Sequence, residues 1–217
     1  MANYSKPDYF AIKAQQEGYP ARSVYKLKEM DEKFGLLKGS KGGASPFRVL
    51  DLGAAPGSWS LYILRKIAVR AGGGVTPSTG PSLVSVDLVP LSRQYDEGLF
   101  DKPEFLFIQG DFTQGEVREE ILSHGPYNLI VSDAAPSTTG NRSIDTLRSL
   151  ELAETALNYA ESALTKGGSF VVKVFQGGDT GNLLKQMRGL FESGKSFKPQ
   201  ACRSESFETY YLGLGKR

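Results

Sequence analysis

Asp51-Leu52-Gly53-Ala54-Ala55-Pro56-Gly57-Ser58-Trp59 follows a short apolar run at 47–52 and opens a stretch with helical spacing. It therefore reads as a glycine-bearing turn from strand to helix, the place where doubly wound sheets bind nucleotides. Gly53 and Gly57 allow the backbone close to a ligand. Dinucleotide folds use a related G-x-G-x-x-G to hold a pyrophosphate on the helix N-terminus. Here Ala54, Ala55 and Pro56 stand where the second glycine of that motif belongs, which favours a less anionic ligand.

Outward from this turn, runs at 83–88, 105–109, 127–132 and 169–175 read as further strands, with helices in the intervals. The clearest helix spans 143–164, with Ser143 as N-cap, Leu147, Leu150, Ala153, Leu157, Ala160 and Leu164 as its apolar stripe, and 166–168 ending it. Such alternation predicts right-handed crossovers and an open α/β sandwich built on a mostly parallel sheet. Near the end, a helix at 181–191 is followed by strand-like runs at 197–201 and 207–214, predicted to pair as a hairpin. Residues 71–82, rich in Gly, Pro, Ser and Thr, read as an inserted loop.

Two carboxylates join the glycine loop as candidates for a nucleoside site. Asp87 closes the second strand, where it can accept from both ribose hydroxyls of an adenosine. Asp111, in Gln109-Gly110-Asp111-Phe112, either accepts from an adenine amino group or serves as a turn aspartate before the next helix. Trp59 has core packing as its alternative to ligand contact.

The 217 residues suit one domain, residues 1–217, and the net charge of +2 is too small by itself to mark a nucleic-acid binder. Positive charge gathers in a basic helical region, 1–46, ahead of a catalytic portion, 47–217. Lys6, Lys13, Arg22, Lys26, Lys28, Lys33, Lys38 and Lys41, with Arg48 just beyond, interleave with Tyr4, Tyr9, Phe10, Tyr19 and Tyr25. That mixture suits phosphate contacts with base stacking, or equally an amphipathic helix with a solvated face. Cys202 alone allows no internal disulfide, and with only His124 beside it no metal site is expected. Neither a signal peptide nor a membrane span is predicted, so a soluble, cytoplasmic protein, monomeric and with no membrane partner, is the expectation.

Two further motifs are Val131-Ser132-Asp133-Ala134-Ala135-Pro136 after the fourth strand and Phe170-Val171-Val172-Lys173-Val174-Phe175-Gln176 in the fifth. With the Asp51 loop and Arg22-Ser23-Val24-Tyr25-Lys26-Leu27, they resemble the FtsJ/RrmJ family of RNA ribose 2′-O-methyltransferases from 22 to 210. The resemblance implies a Rossmann-like class I methyltransferase sandwich, with a seven-stranded sheet whose last strand is antiparallel. It implies S-adenosylmethionine as cofactor, with S-adenosylhomocysteine as product. It places a Lys-Asp-Lys-Glu tetrad on Lys26, Asp133, Lys173 and Glu208, with Glu205 close by. It carries cofactor contacts onto Gly57, Trp59, Asp87, Asp111 and Asp133, beside Gly53 of the glycine loop. Ser58 departs from the family's Gly-Gly-Trp, and the 71–82 loop is longer than expected.

The residues themselves suit methyl transfer. A lysine inside an apolar strand is costly unless paired, so Lys173 reads as functional or as half of a buried ion pair. In the first case it removes the hydroxyl proton or stabilises the developing alkoxide by its charge. Lys26 would orient ribose or phosphate, and Glu208 would hold a lysine or accept from the hydroxyl. A nicotinamide oxidoreductase would share the sheet and Asp87 but needs a tighter pyrophosphate loop and gives Asp133 and Lys173 no role. A non-catalytic RNA-binding assembly factor would have no need of the tetrad. Amine methylation lacks its aromatic platform, because Asp133-Ala134-Ala135-Pro136 carries no ring. The expected partner is RNA: a uridine of large-subunit (23S-type) ribosomal RNA within a ribosomal particle, with tRNA as the alternative.

Overall fold

The computed structural model describes residues 8–38, 47–70, 80–177, 180–203 and 205–217. Two helices lead, α1 (Tyr9–Gln16) and α2 (Val24–Phe34). Then come β1 (Val49–Leu52), α3 (Ser58–Arg70), β2 (Leu83–Asp87), β3 (Phe105–Gln109), α4 (Gly115–Ser123), β4 (Tyr127–Ser132) and α5 (Arg142–Ala163). The chain closes with β5 (Leu164–Phe175), α6 (Thr180–Leu190), β6 (Phe191–Phe197) and β7 (Glu208–Lys216). The strands form one seven-stranded sheet in the order β3-β2-β1-β4-β5-β7-β6. β7 runs antiparallel to both neighbours, β5 and β6, and the other pairings are parallel. The expected α/β sandwich with an antiparallel last strand is therefore present.

Strand periodicity divides the core in two. On one face Leu50, Ile130, Phe170 and Val172 pack with Ile121 of α4, Ala153 and Leu157 of α5 and Met187 of α6. On the other, Val49, Leu129, Val131 and Val171 pack with Leu27 and Met30 of α2 and Leu61 and Ile63 of α3. Neighbouring residues on each strand thus point to opposite layers, so apolar runs rather than alternation mark these strands. Strand order reverses between β1 and β4, which opens a crevice at the carboxyl ends of the strands.

Several boundaries differ from the sequence reading. Asn141, not Ser143, caps α5: its side-chain oxygen accepts from the N–H groups of Ser143 at 3.1 Å and Ile144 at 3.3 Å. Leu147 is exposed, Leu150 is half-buried, and Leu164 begins β5. Residues 166–168 lie within β5, where the register against β4 shifts between Tyr127 and Leu129. The interval between β2 and β3 holds only a 3-10 turn, Leu99–Asp101. Pro90 and Pro103 interrupt it, and Glu97 and Gly98 adopt positive φ of 50° and 75°. β6 lies six residues earlier than predicted, because Pro199 lacks an N–H and the N–H groups of Gln200 and Ala201 donate to Glu29 instead of to a strand. Lys6, Lys41, Tyr4 and most of the 71–82 loop fall outside the described residues.

Candidate active site

The glycine loop is shaped by its neighbours. Gly53 has φ +76°, and a Cβ there would lie 2.6 Å from the Ala134 Cα, so only glycine fits between β1 and the strand-end loop after β4. Asp87 holds the loop from the side: Oδ2 accepts from the Ala55 N–H at 2.8 Å and Oδ1 from the Val89 N–H at 3.0 Å. Ser58 opens α3 and binds Ala21 twice, accepting from its N–H at 2.8 Å and donating to its carbonyl at 3.2 Å. The departure from the family's second glycine thus ties the α1–α2 connection to the head of α3.

A cleft of about 790 Å³ lies over this loop, walled by Gly53, Asp87, Asp111, Phe112 and Asp133 and, across from them, by Arg148 and Glu151 of α5. Gly57 and Trp59 are not among its lining residues. The Trp59 ring is buried, 5.9 Å from the Tyr210 ring centroid, and Nε1 donates to the Ser23 carbonyl at 2.8 Å. Asp111 lines the cleft and also makes the turn: Oδ1 accepts from the Thr113 N–H at 2.9 Å and its hydroxyl at 2.8 Å. The Thr113 bonds, led by that from its N–H, hold the Asp111 carboxyl below its usual range.

Beside the cleft the four tetrad candidates come together. Lys173 Nζ lies 3.0 Å from Asp133 Oδ1 and donates to the Asp133 carbonyl at 2.5 Å. Lys26 Nζ lies 2.8 Å from Glu208 Oε1. Register explains the convergence: Lys173 of β5 stands opposite Tyr210 of β7, and Phe175 opposite Glu208, so Glu208 and Tyr210 share a face with Lys173. That face carries Val171 and looks toward α2, which supplies Lys26.

Electrostatics favours the charged forms of Asp133 and Lys26. Burial pushes the Asp133 carboxyl up, but Lys173, Lys26 and hydrogen bonds from Tyr210 and Lys173 outweigh it and hold it below its usual range. Burial lowers Lys26, and Asp133 and Glu208 more than restore it, so its proton is held more tightly than usual. The Tyr210 hydroxyl donates to Asp133 Oδ1 at 2.6 Å, a contact the sequence reading missed. Its signal was the two-residue spacing from Glu208 on one strand face. Burial and Glu208 raise the Cys202 thiol to about 12, so it stays protonated.

A smaller cleft of about 350 Å³ lies on the other side of the Lys26–Glu208 pair, lined by Arg22, Lys26, Arg203, Glu205 and Glu208. Beneath the glycine loop, Asp51 is fully buried: Oδ2 accepts from the Ser60 hydroxyl at 2.8 Å, and Oδ1 has no partner. Burial raises this carboxyl to about 7, against the pull of Ser60 and with the push of Asp133 and Asp87. Among the described residues no group of three or more His, Cys, Asp or Glu could hold a metal ion, and no helix is long and apolar enough to cross a membrane.

Known proteins are similar to this chain along most of its length. A ribosomal RNA large subunit methyltransferase E of Treponema denticola is 49% identical over 212 residues, covering 97% of this chain and 96% of that protein. Its namesake in Oleidesulfovibrio alaskensis is 47% identical, covering 96% and 91%. A crystal structure from Plasmodium falciparum, described as a ribosomal RNA methyltransferase, superposes with a TM-score of 0.66 at 26% identity, covering 91% of this chain and 98% of that one. Residues 19–216 match the FtsJ-like methyltransferase family, so the span from within the α1–α2 connection to the end of β7 places the chain in that family.

Proposed function

We propose that this chain moves a methyl group from S-adenosylmethionine to a ribose 2′-hydroxyl of large-subunit ribosomal RNA, at a uridine, releasing S-adenosylhomocysteine. One observation carries the reading: Lys26, Asp133, Lys173 and Glu208 meet beside a nucleoside-sized cleft. The ribosomal substrate is drawn from the names of the relatives.

The larger cleft fits the cofactor. Its carboxylates, Asp87, Asp111, Asp133 and Glu151, face one guanidinium, Arg148, so the lining suits a sulfonium and an ammonium and repels a pyrophosphate. Asp87 would accept from the ribose hydroxyls and Asp111 from the adenine amino group, while Gly53 leaves the backbone open. Gly57 and Trp59 would contribute through the main chain, since the Trp59 ring is turned into the core. When bound, this cofactor supplies an electrophilic methyl group.

The chain's own residues handle the acceptor. Lys173 either takes the 2′-hydroxyl proton or, still charged, stabilises the oxygen as negative charge develops. Asp133 fixes Lys173 through its carboxylate and its carbonyl, and Tyr210 fixes Asp133. Lys26, held by Glu208, orients the ribose or the phosphate beside it. All four groups come from one chain, which supports a monomer, with 47–217 as the catalytic portion and 1–46 adding Lys26 to the RNA side; a ribosomal RNA substrate suits a protein working in the cytoplasm.

The test is Lys173→Ala. It is expected to bind S-adenosylhomocysteine as the wild type does while its single-turnover rate on undermethylated large subunits falls about 100- to 10,000-fold. Lys173→Arg keeps charge without basicity, so partial activity assigns electrostatic stabilisation and full loss assigns a base. Wild-type turnover in Lys173→Ala would remove the assignment, and methylation of tRNA in place of large subunits would remove the ribosomal substrate.

A further inference from the structure

We infer that Glu29 is a positioning residue for the acceptor site, gripping the segment 199–208 that leads into β7; the inference rests on the function proposed above. Glu29 lies one helical turn beyond Lys26 on α2. Its Oε2 accepts from the Gln200 N–H at 2.7 Å and its Oε1 from the Ala201 N–H at 2.9 Å. Arg22, one turn before Lys26, donates to the Ala201 carbonyl at 2.5 Å. Ala201 is thus held at its N–H by α2 and at its carbonyl by the turn before α2, and Lys26 holds the far end of the same segment at Glu208.

One carboxylate taking two consecutive backbone N–H groups makes charge-assisted bonds and fixes the direction in which the chain leaves. The segment it launches walls the smaller cleft with Ala201, Arg203, Ser206 and Glu208, opposite Arg22 and Lys26. Glu29 is not among the lining residues of either cleft, so it acts on the chemistry through this segment and not by touch. Pro199 leaves the segment without one main-chain donor, and among the described residues of 198–207 there is no strand pairing, so a side-chain clamp replaces the ladder there. The outcome is that the distance between Lys26 and Glu208 is set on α2 twice, once by Lys26 itself and once by Glu29.

The experiment compares Glu29→Ala and Glu29→Gln with wild type in single-turnover methylation of undermethylated large subunits, scaled to the S-adenosylhomocysteine bound by each preparation. The rate per cofactor site should fall about 10- to 100-fold in Glu29→Ala and by less in Glu29→Gln, which keeps one acceptor oxygen, with cofactor affinity unchanged. Glu29→Ala should cost far less in a Glu208→Ala background, because both changes cut the same link. Hydrogen exchange should show the Gln200 and Ala201 amides losing protection in both Glu29 variants. Unchanged protection, additive losses with Glu208→Ala, or an unchanged rate per cofactor site would each overturn the inference. If the wild type itself fails to methylate large subunits, the proposed function falls, and the exchange measurement judges the clamp alone.

Discussion

Replacing Asp51 with asparagine should make the protein's stability less sensitive to alkali. Asp51 sits on β1 with no exposed surface, one carboxyl oxygen bonded to Ser60 and the other without a partner. Its carboxyl rises from 3.8 to about 7, mainly by burial. The folded state therefore holds this proton more tightly than the unfolded state does, and the group's contribution is most favourable below pH ~4 and is lost as pH rises through ~7. A shift of about 3 units corresponds to ~4 kcal/mol across the whole range, of which ~3 kcal/mol falls between pH 5 and pH 9. Asparagine keeps the shape and removes the titration, so the stability of Asp51→Asn relative to wild type should grow by ~3 kcal/mol from pH 5 to pH 9. Urea unfolding at pH 5, 7 and 9 measures it, with both proteins free of cofactor. A difference that stays constant within about 0.5 kcal/mol across that range would refute an ionising carboxyl beneath the loop.

Two further outcomes follow from the loop itself. Gly53→Ala forces a Cβ to 2.6 Å from the Ala134 Cα at a positive φ, so calorimetric titration should show cofactor binding weakened at least tenfold, with a lower melting temperature. Ser58→Gly removes both bonds to Ala21 and should cost about 1–2 kcal/mol in thermal unfolding, with cofactor affinity nearly kept in the surviving folded protein.

Much of this architecture was legible because its strands are buried on both faces. Runs such as Leu129-Ile130-Val131 and Phe170-Val171-Val172 need apolar residues toward both layers, and a continuous apolar run is easy to see. The ends of elements were harder. Ser143 and Asn141 are both good caps, and only the direction of entry into α5 selects Asn141. At β6 the run 197–201 reads as a strand, yet its backbone N–H groups at 200 and 201 are taken by Glu29, a partnership 171 residues distant that no local pattern reveals. The four tetrad candidates are marked as a set by motif resemblance alone, since nothing local distinguishes Lys26 or Glu208 from surface charges. Tyr210 stayed hidden for the same reason: its meaning depends on standing opposite Lys173 in the sheet.

The place of β7 between β5 and β6 has a bearing on biosynthesis. It is made after both of its neighbours yet lies between them, and β6, at the edge, pairs with β7, so the nascent sheet ends at β5 until β7 arrives. The strands that wall the nucleoside cleft, β1 to β4, are complete before that moment. Glu208 and Tyr210 reach Lys26 and Asp133 only when β7 slides in. A chain still emerging from its ribosome would thus have the strands of its larger cleft before Lys26, Asp133, Glu208 and Tyr210 meet, and the chemistry proposed for them would wait for the last strand.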